Sequence, residues 1–263
     1  MTNIKTIYEL IDKFAPFELQ DSWDNSGILV NLPDDREIKK ILLSLDITAE
    51  VAKEAVSKSV DLVISHHPVI FQPLKSLEPD GPASILLKNG IGAISAHTNL
   101  DISHEGINAI LAKKLGFNIL ENCVEFVKYF GHNQEKYGYG IICDTANEYS
   151  PKSLATLVKT MLGCKNIRFN DCGKKIHKVA ICSGSGGSLL QIAKKCDVQA
   201  LITGDVKHDV FIDAKNLDIA VIDAGHFYTE NVVCELIKQR ITGVYSNIDV
   251  QIADEDKDPV LYI

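Results

Sequence analysis

Short apolar runs alternate along this chain with stretches whose apolar positions recur at helical spacing. Residues 40–46 (KILLSLD), 61–65, 91–96, 177–182, 200–203, 219–223 and 248–252 read as strands, and Leu62-Val63-Ile64 as a buried one. Between them, residues 49–58, 82–88, 104–115, 151–162, 188–195, 207–216 and 227–240 read as helices. Pro82 sits in a first turn, where its missing N–H costs nothing, and Gly116 stops the 104–115 helix. Ile4, Ile7, Tyr8 and Ile11 mark an amphipathic start. Residues 129–144, rich in Gly, Tyr and His, suggest a hairpin or connection. The alternation predicts an α/β protein with mostly parallel pairing. A change of character near residue 125 suggests a domain boundary, and no repeat or low-complexity segment is visible.

The polar residues at the ends of these strands carry the chemistry. His66 and His67 follow the run 61–65 directly, and Pro68 stops that strand. Open α/β sheets bind ligands at the carboxyl ends of their strands. Neighbouring strand residues point to opposite faces, so the pair is expected to serve two metal ions, one histidine each. The run 91–96 ends in Ala96-His97-Thr98-Asn99-Leu100-Asp101, and 219–223 ends in Asp223-Ala224-Gly225-His226-Phe227-Tyr228-Thr229-Glu230. His226 and Glu230 stand one helical turn apart. Mixed imidazole and carboxylate ligands suit zinc, manganese, iron, cobalt or nickel. A carboxylate such as Glu230 can bridge two ions about 3.5–4 Å apart, an arrangement that activates water and polarises the bond under attack.

Composition narrows the setting. A net charge of −8 offers no basic surface for nucleic acid. The seven cysteines, at 123, 143, 164, 172, 182, 196 and 234, are odd in number and lack C-x-x-C spacing, so they read as reduced, buried thiols of a cytosolic protein. The N-terminus lacks the continuous apolar core of a signal peptide, and no apolar stretch approaches the roughly 18 residues that span a bilayer. The expected location is the cytoplasm.

The motifs Trp23-Asp24-Asn25-Ser26-Gly27, Ser65-His66-His67-Pro68, Ala96-His97-Thr98-Asn99-Leu100-Asp101, Thr203-Gly204-Asp205 and Asp223-Ala224-Gly225-His226-Phe227-Tyr228-Thr229-Glu230 resemble the NIF-three-like dinuclear metal proteins, also called GTP cyclohydrolase I type 2 homologues. The resemblance runs in order from about Ile4 to the C-terminus, and the chain is similar to the short bacterial form that lacks an inserted middle domain. It implies two α/β domains with the C-terminal segment returning to the first, here 1–125 with 226–263, and 126–225. It also implies a toroidal homohexamer with two divalent ions per subunit. His66 and His67 would each bind a different ion, Asp101 would join one, His226 the other, and Glu230 would bridge both. His97 matches a position near the metals and is expected to orient a ligand or transfer protons, with His208 a weaker candidate. The implied activity is hydrolysis of GTP, opening guanine at C8 to give formate and 7,8-dihydroneopterin triphosphate. A charge of −8 sits awkwardly with a triphosphate substrate.

Other segments have bland readings beside functional ones. Ser183-Gly184-Ser185-Gly186-Gly187-Ser188 is either a tight strand-to-helix turn or a phosphate or ribose contact. In Thr203-Gly204-Asp205-Val206-Lys207-His208, Asp205 is either a helix cap or a proton carrier, and Lys207 is a candidate phosphate contact. Residues 23–27 read as turn chemistry beside one large aromatic anchor, Trp23, with a wall of the active cavity as the functional alternative. His104, His132 and His177 read as surface or structural. No G-x-S-x-G elbow or cysteine nucleophile set is present. Two other functions fit the same ligands: a two-metal nucleotide phosphoesterase, and a metal-dependent scaffold or regulator without turnover.

Overall fold

A computed structural model describes residues 1–263 and shows a mixed α/β protein. It divides into two compact units, Met1–Leu100 with Val233–Lys257, and Asp101–Val232 with Asp258–Ile263.

The first unit is built on a five-stranded sheet in the order Gly27–Val30, Gly92–Ser95, Leu62–Ser65, Lys40–Ser44, Asp249–Ile252. The last four strands are parallel, and only the edge strand Gly27–Val30 runs antiparallel. The three predicted N-terminal strands are all present, and the C-terminal strand does return to this sheet. Leu62–Ser65 and Gly92–Ser95 are buried at every position, as parallel strands covered on both faces must be. Helix Ile4–Phe14 starts with a reciprocal cap between Asn3 and Thr6 and buries Ile4, Ile7, Ile11 and Phe14, worth roughly 1.5–3 kcal/mol each. Val51, Ala52 and Ala55 of helix Ala49–Ser57 pack with Leu42, Val63, Leu86 and Ala93 into one core.

Register in this sheet positions the chemistry. Ser44, Ser65 and Ser95 are paired across three neighbouring strands. The Ser65 and Ser95 hydroxyls lie 2.9 Å apart, and the Ser65 hydroxyl donates to the carbonyl of His67 at 2.7 Å. Asp46, His67 and His97 each stand two residues beyond one of these serines, so they leave the sheet at the same level.

The second unit holds a six-stranded sheet in the order Asn118–Glu121, Ile141–Tyr149, Ile176–Ile181, Ala200–Thr203, Ala220–Asp223, Arg168–Phe169. Its three predicted strands form the parallel centre, and antiparallel strands flank them. Residues 129–144 belong to the expected hairpin, Glu125–Phe130 with Glu135–Tyr139, and to the start of Ile141–Tyr149. The units part at 100/101, 232/233 and 257/258, whereas the expected bounds lie near 125 and 225. Residues 118–121 fall in the second unit through strand pairing: Asn118–Glu121 bonds to Ile141–Tyr149 of the second sheet, a partner that no local pattern names. The expected helix over 227–240 is two elements, His226–Glu230 and Val232–Val244.

Candidate metal centre

In the first unit, three imidazoles meet above the serine row. The ring centroids of His66 and His67 are 5.1 Å apart, His66 and His97 5.0 Å, and His67 and His97 5.5 Å. One ligand nitrogen from each lies within 4.8 Å of the others. The expectation that His66 and His67 take opposite faces of a strand is corrected here. The strand ends at Ser65, so alternation no longer governs the two residues after it, and their rings stand side by side.

Each ring is held through Nδ1 by an acceptor. His66 is fully buried, and its Nδ1 pairs with the carbonyl of Ala96 at 2.8 Å, which can only accept. His67 Nδ1 meets Asp46 Oδ1 at 2.8 Å, and His97 Nδ1 meets Asp24 Oδ1 at 2.9 Å. An Nδ1–H donated to a carbonyl or carboxylate leaves Nε2 as the basic nitrogen, the usual state of a metal-ligating histidine.

Asp24 is the most heavily bonded of these partners. Its side chain is wholly buried. Oδ1 accepts from the Asn25 amide at 2.7 Å and from His97, while Oδ2 accepts from the Ser26 hydroxyl at 2.7 Å, the Thr98 hydroxyl at 2.6 Å and the Thr98 amide at 3.1 Å. Burial opposes its ionisation, but the hydrogen bonds from His97, Thr98 and Ser26 outweigh it and hold the carboxyl well below the usual range. Asp24 is therefore a carboxylate at neutral pH.

In the second unit, the sheet ends supply the remaining candidates. His226 opens the helix His226–Glu230, and its Nε2 lies 2.7 Å from Glu230 Oε2. Its Nδ1 is held by Asp205 Oδ2 at 2.8 Å. The Glu230 contact, against the cost of burial, and Asp205 raise the His226 pKa from 6.5 to about 9. Glu230 is buried, and it lies so close over Gly184 that a Cβ there would stand 2.0 Å from Oε1. Asp101, on the helix Thr98–Ile102, lies 3.5 Å from the Ser183 hydroxyl, and its carbonyl accepts from Asn108 Nδ2 at 2.9 Å. Burial raises the pKa of the Cys182 thiol, with Asp101 and Glu230 adding to the shift, so both carboxylates bring negative charge to one buried sulfur.

The glycine-rich turn takes its bland reading. The amides of Ser183, Gly184 and Gly186 are bonded to Asn108 Oδ1, Thr229 Oγ1 and Thr203 Oγ1, so they are spent inside the protein rather than turned to an anion. Gly184, at φ +61°, is there to admit the Glu230 carboxylate. Asp205 caps no helix: the residue before His208–Asn216 is Lys207, without a side-chain bond, and Asp205 orients His226 instead. His208 is exposed at the first residue of that helix. Trp23 is no anchor, because it is 54% exposed. His104 stacks on Tyr137 with centroids 4.1 Å apart, and its Nε2 meets the Lys136 carbonyl at 2.9 Å, a structural role.

A family model described as Duf34/NIF3 (NGG1p interacting factor 3) matches residues 2–259. The chain belongs to the Duf34/NIF3 family. Among Duf34/NIF3 relatives it is 34% identical over 271 residues to a Clostridium perfringens protein named GTP cyclohydrolase 1 type 2 homolog, covering 99% of each chain. It is also 34% identical over 247 residues to a Helicobacter pylori protein named GTP cyclohydrolase 1 type 2, covering 90% of this chain and 92% of the relative. The crystal structure of Staphylococcus aureus hypothetical protein SA1388 superposes with a TM-score of 0.88 at 30% identity, over 99% of both chains. A Bacillus cereus protein related to NIF3 superposes with a TM-score of 0.86 at 21% identity, over 100% of this chain and 99% of that one, a likeness of fold alone. No helix is long and apolar enough to cross a membrane.

Within the Duf34/NIF3 chain, the first unit by itself holds a group that could bind a metal ion, and the second holds side chains of ligand type. The first presents three imidazoles with Nδ1 pinned by acceptors. The second presents an imidazole and a buried carboxylate, with a glycine that makes room for the carboxylate. Sequence reasoning missed Asp24, Asp46 and Asp205 as the orienting shell. The signal was present for Asp46, a carboxylate just past a strand's carboxyl end, the same position that drew attention to the histidines.

Proposed function

We propose that this chain is a dinuclear metal-dependent hydrolase that converts GTP to formate and 7,8-dihydroneopterin triphosphate. The assignment of ligands follows the sequence resemblance. His66 and His67 would serve different ions, Asp101 would join one and His226 the other, and Glu230 would be shared between them. Zinc, iron, manganese, nickel and cobalt all suit this donor set. The observation that carries the reading is the orientation of the first unit's imidazoles: His66 and His67 stand side by side with each Nδ1 committed to an acceptor, and His97, held the same way, is left for proton transfer. Three rings are held with Nε2 as the basic nitrogen, the form that ligation needs.

The protein's own contribution is orientation and proton handling. When bound, two divalent ions supply Lewis-acid activation of water and stabilise developing negative charge. Asp46 and Asp205 set the rings of His67 and His226. Asp24, ionised and buried, keeps the proton of His97 on Nδ1, so that Nε2 takes up and returns a proton at the reacting base. His208 is the weaker proton carrier. The names of the relatives support the choice of GTP over other small-molecule substrates. The family resemblance supports a homohexamer, which light scattering on the purified protein tests.

The deciding experiment follows formate release from GTP by the metal-reconstituted protein beside His66→Ala and Glu230→Ala. Activity in the wild type that is lost in both variants, with their fold retained, supports the reading. Formate release no higher than in the variants sinks it. Inorganic phosphate in place of formate identifies a phosphoesterase. Neither product from a stably assembled, metal-loaded protein identifies a scaffold.

A further inference from the structure

Trp23 and Phe71 are large aromatic residues left in contact with solvent, at 54% and 43% exposure. They are not scattered. Their ring centroids lie 6.0 Å apart with planes at 53°. Each stands edge-on to His97, Trp23 at 6.0 Å and 76°, Phe71 at 6.2 Å and 74°. His97 in turn packs against His66 and His67. Two exposed aromatic rings therefore border the imidazole cluster, on the side of the one histidine assigned to proton transfer.

The two rings are also tied together. Trp23 precedes Asp24, whose carboxylate collects the five hydrogen bonds described above. The next residue, Asn25, donates from Nδ2 to the carbonyl of Ile70 at 2.6 Å, immediately before Phe71. One short bond thus joins the backbone segments that carry the two rings. This is a built corner, held in place without its aromatic residues being buried. Exposed aromatic surface gains free energy when a flat, apolar face covers it, and nucleobases supply such a face.

We infer that Trp23 and Phe71 form a platform for the planar heterocyclic base of a purine nucleotide, which meets the face of one ring and the edge of the other because the two planes are tilted by 53°, placing that base beside His97. The inference rests on the hydrolase reading and deepens it by naming the part of the protein that holds the base. The overall charge of −8 fits recognition through the base, since aromatic stacking needs no cation. Neither residue is a metal ligand, and neither is needed for the core.

The chain contains a single tryptophan, so Trp23 reports on its own site. Its fluorescence is followed, with excitation at the red edge of the tryptophan band, as GTP, GMP or sodium tripolyphosphate is added to the full-length protein, metal-free and metal-reconstituted. GTP and GMP are expected to change the emission saturably, and tripolyphosphate to leave it unchanged. Phe71→Ala is expected to weaken GMP binding by roughly 5- to 150-fold, the usual loss for one stacking partner, and Phe71→Tyr to restore it. Phe71 is exposed, so its variants are expected to fold, which circular dichroism checks. The inference is overturned by no guanine-dependent change in either metal state, by an equal response to tripolyphosphate, or by GMP affinity that Phe71→Ala leaves unmoved. Formate release without a guanine-dependent signal refutes the platform and keeps the hydrolase. Saturable GMP binding lost in Phe71→Ala, without formate release, keeps the platform and refutes the conversion of GTP to formate.

Discussion

Replacing Asp24 with asparagine removes one of two oxygens that between them accept five hydrogen bonds. Oδ2 serves Ser26 and both donors of Thr98, and Oδ1 serves the Asn25 amide and His97 Nδ1. An asparagine has one acceptor oxygen, so at least two of the five donors must face its NH₂ group. With the oxygen on the three-donor side, the amide nitrogen faces the Asn25 N–H and His97 Nδ1. His97 can then pair only as an acceptor, which moves its proton to Nε2. Two bonds to a charged group are lost, at roughly 1.5–3 kcal/mol each, and one neutral bond is recovered. The net loss is roughly 2–4 kcal/mol, because the variant also avoids burying an ion. In a chain of this length that lowers Tm by roughly 5–15 °C. Thermal denaturation at neutral pH measures the loss, and ¹⁵N chemical shifts of the His97 ring show which nitrogen holds the proton. A Tm within about 1 °C of the wild type, with Nδ1 still protonated, refutes the reasoning. The pH dependence has a definite sign. Asp24 is depressed below its ordinary 3.8, so its stabilisation is complete above that value and is lost as pH falls below it. The gap between wild type and variant is expected to narrow only in that acid range.

Three further outcomes follow from other parts of the molecule. Gly184→Ala places a Cβ 2.0 Å from Glu230 Oε1 at a φ of +61°, so the carboxylate must shift and the backbone takes up roughly 1–2 kcal/mol of strain. Metal affinity by competition with a chromogenic chelator is expected to fall at least about tenfold, and wild-type affinity in this variant sinks the role given to Glu230. Asp205→Asn weakens the partner that orients His226, and a metal-affinity loss of roughly 10- to 100-fold is expected in the same assay. Asp256 is raised from 3.8 to about 6, first by burial and then by Asp46, against hydrogen bonds from the Leu45 and Asp46 amides. A raised carboxyl contributes stability below its unfolded value and loses it as pH rises through about 6, so Asp256→Asn is expected to gain on the wild type by roughly 2 kcal/mol between pH 4 and 8 after allowance for partial exposure. Urea denaturation at the two pH values checks this, and an unchanged gap between the proteins counts against it.

Much of this protein was legible in one dimension. Strands such as Leu62–Ser65 and Ala200–Thr203 are continuously apolar because parallel central strands are covered on both faces, and that pattern survives without knowledge of the neighbours. The helices were bounded by local chemistry, Pro151 at the start of one and Gly116 after another. The candidate histidines were found because a strand's carboxyl end is itself a local feature.

What lay outside the sequence was anything set by register or by the close approach of distant segments. His66 and His67 were expected on opposite faces, yet the strand ends at Ser65, before both of them, and their rings stand side by side. Asp24 and His97, 73 residues apart, form a pair only because Gly27–Val30 lies antiparallel beside Gly92–Ser95 and brings the turn before one strand to the end of the other. Trp23 looked like an anchor by residue type, while its exposure is decided by which segments happen to cover it. Sequence alone determined which elements form and which residue types stand at their ends, since backbone geometry and apolar burial act locally. The tertiary structure alone decided which of those ends share a level, which carboxylate holds which imidazole, and which aromatic rings face water, because hydrogen-bond partners and solvent cover are properties of pairs that the chain order does not contain.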